Sequence, residues 1–161
     1  MRLLGLDYGS VTIGVAISDA LNLTAGPLET IKRTSENKLR RSLARIEEII
    51  AENDVEKIVI GLPLNTDGSM GERAWMTYEF KEKLEKRVGL PIVMWDERLS
   101  TWEANNILDE TNFKADRKKR KEIIDQLAAV LILDSYMKFA ANGGKDEDLA
   151  QAEPNKIPEN K

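Results

Sequence analysis

Residues 1–19, MRLLGLDYGSVTIGVAISD, decide the fold of this chain. Residues 2–7 and 12–18 are short apolar runs, and the turn at Gly9 between them is short enough for an antiparallel hairpin. Asp7 ends the first of these runs. A buried ionised carboxylate is costly unless a donor or a cation compensates it. Asp7 is therefore a candidate functional residue, with a role as acceptor for the N–H groups of the turn as the alternative.

The rest of the chain alternates helical and strand-like segments. Residues 24–32, which contain Gly26-Pro27, are expected to form a third strand at a sheet edge. Apolar spacing predicts helices over about 35–52, 70–87 and 121–140, strands at EKIVIGLPL and LPIVMW, and a short helix after DERLST. Ser69 and Glu72 have the spacing of a capping box that opens the second helix.

This order of elements indicates an α/β fold with a five-stranded mixed sheet flanked by helices. The ribonuclease H-like fold is the leading topology that combines these features, with the first strand at the centre of the sheet. Residues 1–140 are expected to form this single domain. Residues 141–161 lack apolar periodicity and are expected to be a flexible C-terminal tail.

The composition restricts the chemistry that the chain can perform. Its 161 residues include neither cysteine nor histidine. Thiolate nucleophiles, Ser-His-Asp triads and imidazole bases are therefore excluded, so catalysis would depend on carboxylates, Lys, Arg, hydroxyls or a metal held by oxygen atoms. With no signal-peptide pattern and no apolar run long enough for a bilayer, a cytoplasmic protein without a membrane partner is expected. The net charge of −4 argues against coating nucleic acid by bulk charge but allows a local basic patch.

Three acids lie where a solvated surface residue would not be expected. Asp7 ends the first strand, Glu97 follows the fifth, and Asp125 lies within the apolar stretch IIDQLAAVLIL. The predicted fold brings all three to one side of the sheet, where oxygen ligands would suit Mg²⁺ or Mn²⁺. Structural alternatives stay open: a helix dipole for Glu97 and an ion pair for Asp125. Asp67 is a reserve fourth acid, although aspartate is common in turns.

Basic residues near these acids are candidate phosphate contacts. Arg98 stands beside Glu97, and a dense basic run stands just before Asp125. This basic run consists of Arg117, Lys118, Lys119, Arg120 and Lys121. Contact with a phosphate backbone and plain solvation both fit such a run, which is expected to link the short helix to the last one.

Four stretches resemble a known family in order and spacing. They are LGLDYGSVTIGVAISD, IVIGLPLNTDGS, DERLST and RKKRKEIIDQLAAVLILDSY. They resemble the signature regions of the YqgF (RuvX) family of pre-16S ribosomal RNA nucleases, also described as Holliday-junction-resolvase-like. The resemblance covers residues 1–139, and DERLST and the last stretch are its specific parts.

The resemblance implies a ribonuclease H-like fold, metal-dependent hydrolysis of phosphodiesters and trimming of the 5′ end of small-subunit ribosomal RNA. It places the site acids at Asp7, Glu97 and Asp125. The chain departs from the usual pattern at Val11 and Thr12, where family members commonly carry a basic residue. It also has Gly61-Leu62-Pro63 where related enzymes generally carry a carboxylate, so the number of metal ions stays open.

Other functions also stay open at this point. In the nuclease interpretation the partner is structured RNA, within ribosomal precursor particles, or a DNA four-way junction. A junction resolvase would be expected to dimerise, whereas an RNA nuclease could be a monomer or a homodimer. A non-catalytic nucleic-acid-binding module is a second alternative. An actin-like ATPase is a third, although such proteins need a duplicated domain.

Overall fold

The computed structural model describes residues 1–98 and 117–149, without the side chains of 117–121. The described residues form, in chain order, β1 (Arg2–Tyr8), β2 (Thr12–Ser18), β3 (Ala25–Lys32), α1 (Arg40–Asn53), β4 (Val55–Leu62), α2 (Glu72–Arg87), β5 (Ile92–Asp96), α3 (Arg117–Ala141) and a 3-10 turn (Asp146–Asp148). The strand order is β3-β2-β1-β4-β5, with β2 antiparallel to both neighbours and β4 parallel to β1 and β5. The predicted five-stranded mixed sheet with a central first strand is confirmed. In these ranges no helix combines the length and apolarity needed to span a bilayer.

The pleat of β1 divides the core into two layers. Leu4 and Leu6 are fully buried in the layer that also contains Ile46 of α1 and Phe80 of α2. Asp7 alternates with these residues, so its side chain belongs to the opposite face of the sheet, which α3 covers. The sheet therefore presents Asp7, the candidate site acid, toward α3.

Glycines let α3 lie directly against the two central antiparallel strands. A Cβ atom on Gly14 would lie 2.0 Å from the backbone oxygen of Asp125, and one on Gly5 would lie 2.8 Å from Cβ of Leu133. Gly14 pairs with Asp7 across the β1–β2 ladder. The close approach at Gly14 therefore places the backbone of Asp125 one strand away from Asp7.

Several predicted boundaries are wrong. The first helix begins at Arg40 after an N-cap at Leu39, not near Ser35. The second helix has Gly71 at its N-cap without a side-chain cap, so the capping box of Ser69 and Glu72 is absent. The basic run is not a linker, because α3 already begins at Arg117. The predicted short helix after DERLST lies outside the described residues.

Other local predictions are confirmed. Strand β3, which contains Gly26-Pro27, is an edge strand, and its register with β2 shifts between Val15 and Ala16. Asp67 has a turn role, since its carboxylate accepts hydrogen bonds from the N–H and the hydroxyl of Ser69 at 2.9 and 2.6 Å. These two bonds also lower the pKa of Asp67.

Residues that follow the end of α3 still contact the folded domain. Lys57 Nζ of β4 donates to Asp146 Oδ2 at 2.7 Å, and Tyr136 OH donates to Asp146 Oδ1 at 2.5 Å. Leu149 packs against the core layer under α3. Asp146 and Leu149 belong to the segment 141–161, whose flexibility stays a prediction, and residues 150–161 lie outside the described part of the chain.

Substitution of Gly14 tests the close approach of α3. We expect Gly14→Ala to lower the free energy of unfolding by about 2 kcal/mol or more, because the added methyl group meets helix backbone that cannot rotate away. Gly26→Ala is the matched control in the same sheet, since no atom of the described residues lies within 4 Å of its added Cβ. It should change stability by less than about 0.5 kcal/mol in urea denaturation. Equal effects of the two substitutions would contradict the proposed packing.

Candidate active site

Three parallel strands end at the same edge of the sheet, and an acid stands at two of these ends. Asp7 lies near the end of β1, and Glu97 follows β5, where its N–H donates to Leu62 O at 3.3 Å. Strand β4 lies between β1 and β5. Its Gly61 has no side chain that would block the path of the Glu97 side chain. A Cβ atom on Gly61 would lie 2.2 Å from Glu97 Oε2. Because adjacent strands are about 4.8 Å apart, the Glu97 side chain reaches over β4 toward β1 only because residue 61 is a glycine.

The side chains of Glu97 and Asp7 are hydrogen-bonded to each other. Burial, followed by the charge of Asp7, raises the pKa of Glu97 from its ordinary value of 4.5 to about 8. Asp96 raises it further, and the nearby Arg73 guanidinium lowers it. Two carboxylates this close cannot both be ionised at low cost, so near neutral pH the pair retains a proton.

One oxygen of this pair is buried away from solvent. Glu97 Oε2 is fully buried and has no hydrogen-bond partner among the residues that the structure describes. A buried carboxylate oxygen without a partner is expensive, and such atoms in a folded protein point to an ion or a water that completes them. Paired carboxylates are the oxygen ligands that Mg²⁺ and Mn²⁺ prefer, and Mg²⁺ commonly keeps several waters beside one or two carboxylates. The residues at this edge therefore fit a divalent cation.

Asp125 lies on the same face of the sheet but makes a different contact. It is buried, with 6% of its surface exposed, and its Oδ2 accepts a hydrogen bond from Thr12 Oγ1 at 2.8 Å. Within 1–98 and 117–149, no three acidic side chains form a group that could hold a metal ion. The structure thus brings Asp7 and Glu97 together. It places Asp125 over the neighbouring strand β2, where Thr12, the first residue of that strand, donates a hydrogen bond to it.

The predicted phosphate contacts have different positions. Arg98 forms an ion pair with Asp96, through Nε at 2.9 Å and Nη2 at 2.6 Å from Oδ2. Its Nη1 also donates to Thr66 O at 3.2 Å, which ties the end of β5 to the loop before α2. The basic run forms the start of α3, the helix that carries Asp125, and its side chains are outside the described set. Phosphate binding by Arg98 and by this run stays a prediction.

Sequence reasoning missed three residues that shape the site. Gly61 makes room for Glu97, Thr12 holds Asp125, and Arg73 supplies positive charge near Glu97. The alternation of β2 could have indicated Thr12, which shares a strand face with the close-packed Gly14. The position of Arg73 depends on the path of the loop before α2, for which the sequence carries no clear signal.

Sequence comparison matches most of the chain to known proteins. The sequence model of the RuvX family, described as "Holliday junction resolvase", matches residues 1–139. A Lachnospira eligens protein named "Putative pre-16S rRNA nuclease" is 56% identical over 137 residues, which cover 85% of this chain and 96% of that protein. A protein of the same name from Agathobacter rectalis is 49% identical over 142 residues, covering 88% of this chain and 98% of that protein.

Solved structures show the same fold at low sequence identity. Thermus thermophilus RuvC in complex with a Holliday junction substrate superposes with a TM-score of 0.55 at 17% identity, covering 89% of this chain and 96% of that one. The fowlpox virus Holliday junction resolvase superposes with a TM-score of 0.54 at 15% identity, covering 87% and 99%. The chain has the ribonuclease H-like fold of these resolvases, and by its sequence match it belongs to the RuvX family.

Proposed function

We propose that this protein is a divalent-cation-dependent nuclease that hydrolyses phosphodiester bonds at the 5′ end of precursor 16S ribosomal RNA. The observation that carries this proposal is the contact of Asp7 with Glu97, together with a buried Glu97 oxygen that has no donor within 1–98 and 117–149. The names of the relatives at 49–56% identity support the same substrate. With no histidine in the chain, carboxylates are its natural groups for handling protons and a cation.

Asp7 and Glu97 would hold Mg²⁺ or Mn²⁺, and we include Asp125 as the third acid of the site. When bound, such a cation stabilises charge on a phosphoryl group and activates a water. Asp7 stands on the central strand of the sheet, where it pairs with Gly14 of β2 and follows the residues that pair with β4. Thr12 orients Asp125 through its hydroxyl. The chain thus provides acids on rigid elements, which is what precise placement of reacting groups requires.

The start of α3 is the proposed contact for the substrate backbone. Its basic run, Arg117–Lys121, ends one helical turn before Asp125, so phosphates bound there would pass close to the acids. Arg98 is the proposed contact at the other end of the site. Contacts of this type position a nucleic acid without recognising its sequence. Selection of the cut position is therefore assigned to the shape of a structured RNA within ribosomal precursor particles.

A DNA four-way junction is the second candidate substrate. The description of the family as a resolvase and the likeness to RuvC favour it. Symmetric cutting of a junction requires two sites related by a two-fold axis. A dimer in solution together with paired nicks in a junction would favour this substrate, whereas a monomer that cleaves only RNA would favour the first.

Substitution of Asp7 tests the nuclease activity. With Mn²⁺ or Mg²⁺, purified protein should shorten a precursor 16S RNA fragment at its 5′ end, and Asp7→Asn should lower the rate by about 100-fold or more. The reason is that the amide keeps the shape of the side chain but loses the charge that attracts a cation. Glu82→Gln, an exposed acid on α2, is the matched control and should cleave normally. Full activity in Asp7→Asn would refute the site, and RNA binding without cleavage under any metal condition would favour a non-catalytic module.

The raised pKa of Glu97 predicts a pH-dependent stability in the absence of metal. Below pH 4.5 the folded and unfolded chains both hold the Glu97 proton, whereas between pH 4.5 and about 8 only the folded chain does, so stability falls as the pH rises. Glu97→Gln removes this loss, because its neutral amide can donate to Asp7 at every pH. In urea denaturation with a chelator, we expect the variant to gain about 2 to 4 kcal/mol over the wild type between pH 4 and pH 8.

The control for this experiment is again Glu82→Gln, whose stability should follow that of the wild type at each pH. If the curves of Glu97→Gln and the wild type run parallel from pH 4 to pH 8, the buried contact between the two acids is absent.

A further inference from the structure

The turn between β1 and β2 is held by an arginine from a different part of the chain. We propose that Arg33, which follows β3, is a positioning residue for the acid site. It fixes residues 9–12 and through them Asp7 and the Thr12 hydroxyl. The inference builds on the proposed function, because it concerns the placement of the same acids.

Arg33 binds both sides of this turn. Its backbone N–H donates to Val11 O at 2.9 Å, and its Nη2 donates to Gly9 O at 2.7 Å. The turn is closed on itself by the bond from Gly9 N–H to Thr12 O at 2.7 Å. A Cβ atom on Gly9 would lie 2.9 Å from that same Thr12 oxygen, so the closed turn is tight. Arg33 therefore stabilises one compact conformation of residues 9–12.

The guanidinium also connects the turn to the core. Its central carbon lies 4.8 Å from the centre of the Tyr8 ring. Tyr8 stacks in turn on Phe80 of α2, with ring centres 4.4 Å apart and planes inclined by 13°. Phe80 is fully buried. A cation over an aromatic ring is attracted by its face, so this stack holds the turn against a rigid helix.

Arg33 is placed for positioning and not for contact with the substrate. Its Nε and Nη1 are buried and have no hydrogen-bond partner in the described part of the chain, so a phosphate in solvent cannot reach them. Burying a cation with unpaired N–H groups is costly. An apolar side chain would fill the same space over Tyr8 without that cost, but it could not donate to Gly9 O. The arginine thus provides a donor to Gly9 O, and this contact fixes the turn.

Both ends of the turn lead to site acids. Asp7 lies two residues before Gly9, in register with Gly14 on β2. Thr12 begins β2 and donates its hydroxyl to Asp125 at 2.8 Å. Loosening the turn would therefore release the hydroxyl that orients Asp125 and the strand end that carries Asp7.

The test compares Arg33→Met and Arg33→Lys with a matched control, Arg87→Met. Arg87 is an arginine of α2 in an ion pair with Glu47, remote from the turn. In Arg33→Met, NMR should show amide exchange of Gly9 faster by about tenfold and side-chain couplings of Thr12 averaged over several rotamers. Cleavage should show kcat reduced by about tenfold with KM unchanged within about twofold. Arg33→Lys, which keeps the charge over Tyr8 but loses the planar fork, should lie between Arg33→Met and the wild type. Arg87→Met should match the wild type in every measurement.

The outcomes separate the positioning role from the proposed function. A single Thr12 rotamer and unchanged kcat in folded Arg33→Met would overturn the inference. An increase of KM at unchanged kcat would also overturn it, because Arg33 would then bind substrate. If the wild type cleaves no nucleic acid, the proposed function fails and the Thr12 couplings alone decide the positioning role. Should Arg33→Met not fold, the same measurements on Arg33→Lys decide.

Discussion

The contact between the Asp7 and Glu97 carboxylates is the constraint on which the site depends. Two acids in a partly buried contact repel each other unless a proton or a cation lies between them, and the raised pKa of Glu97 reflects that repulsion. The Arg73 guanidinium relieves part of it, but one Glu97 oxygen still lacks a donor among the residues that are described. A fold that keeps such a pair gives up stability at this edge of the sheet. The natural explanation is that the pair serves a positively charged ligand.

Glycine residues leave the space that this contact and the packing of α3 require. Gly61 opens a path over β4 along which Glu97 reaches the central strand, and Gly14 lets the backbone of α3 lie directly on β2. The glycines therefore have a role in the site as well as in the packing of the sheet. The turn at residues 9–12, held by Arg33, completes the frame by fixing the hydroxyl that binds Asp125. The acids themselves stand at a strand end, after a strand end and on a helix, which are elements that move little.

The pattern of the sequence was sufficient to predict the strands, the central position of β1 and the edge position of β3. It also predicted the side of the sheet on which the three acids lie. The sequence pattern could not predict the contacts among those acids, because the distance between Glu97 and Asp7 depends on a glycine in the strand between them. The engagement of Asp125 with Thr12 depends likewise on how closely α3 approaches β2. The basic run has no apolar residue, so apolar spacing alone predicts a helix that begins only after it, yet lysine and arginine are good helix formers and the run begins α3. Asp146 and Leu149 carry no periodic signal, so their docking beyond α3 follows only from tertiary contacts.

The most direct measurement is the anomalous scattering of manganese in crystals of the protein grown with Mn²⁺. We predict a peak in contact with carboxylate oxygens of both Asp7 and Glu97, with the direct hydrogen bond between the two acids broken. Asp125 would lie beside this peak if it is the third acid of the site. Crystals with saturating Mn²⁺ that show no peak at this edge, while Asp7 and Glu97 stay hydrogen-bonded to each other, would contradict the assignment of a cation to the pair.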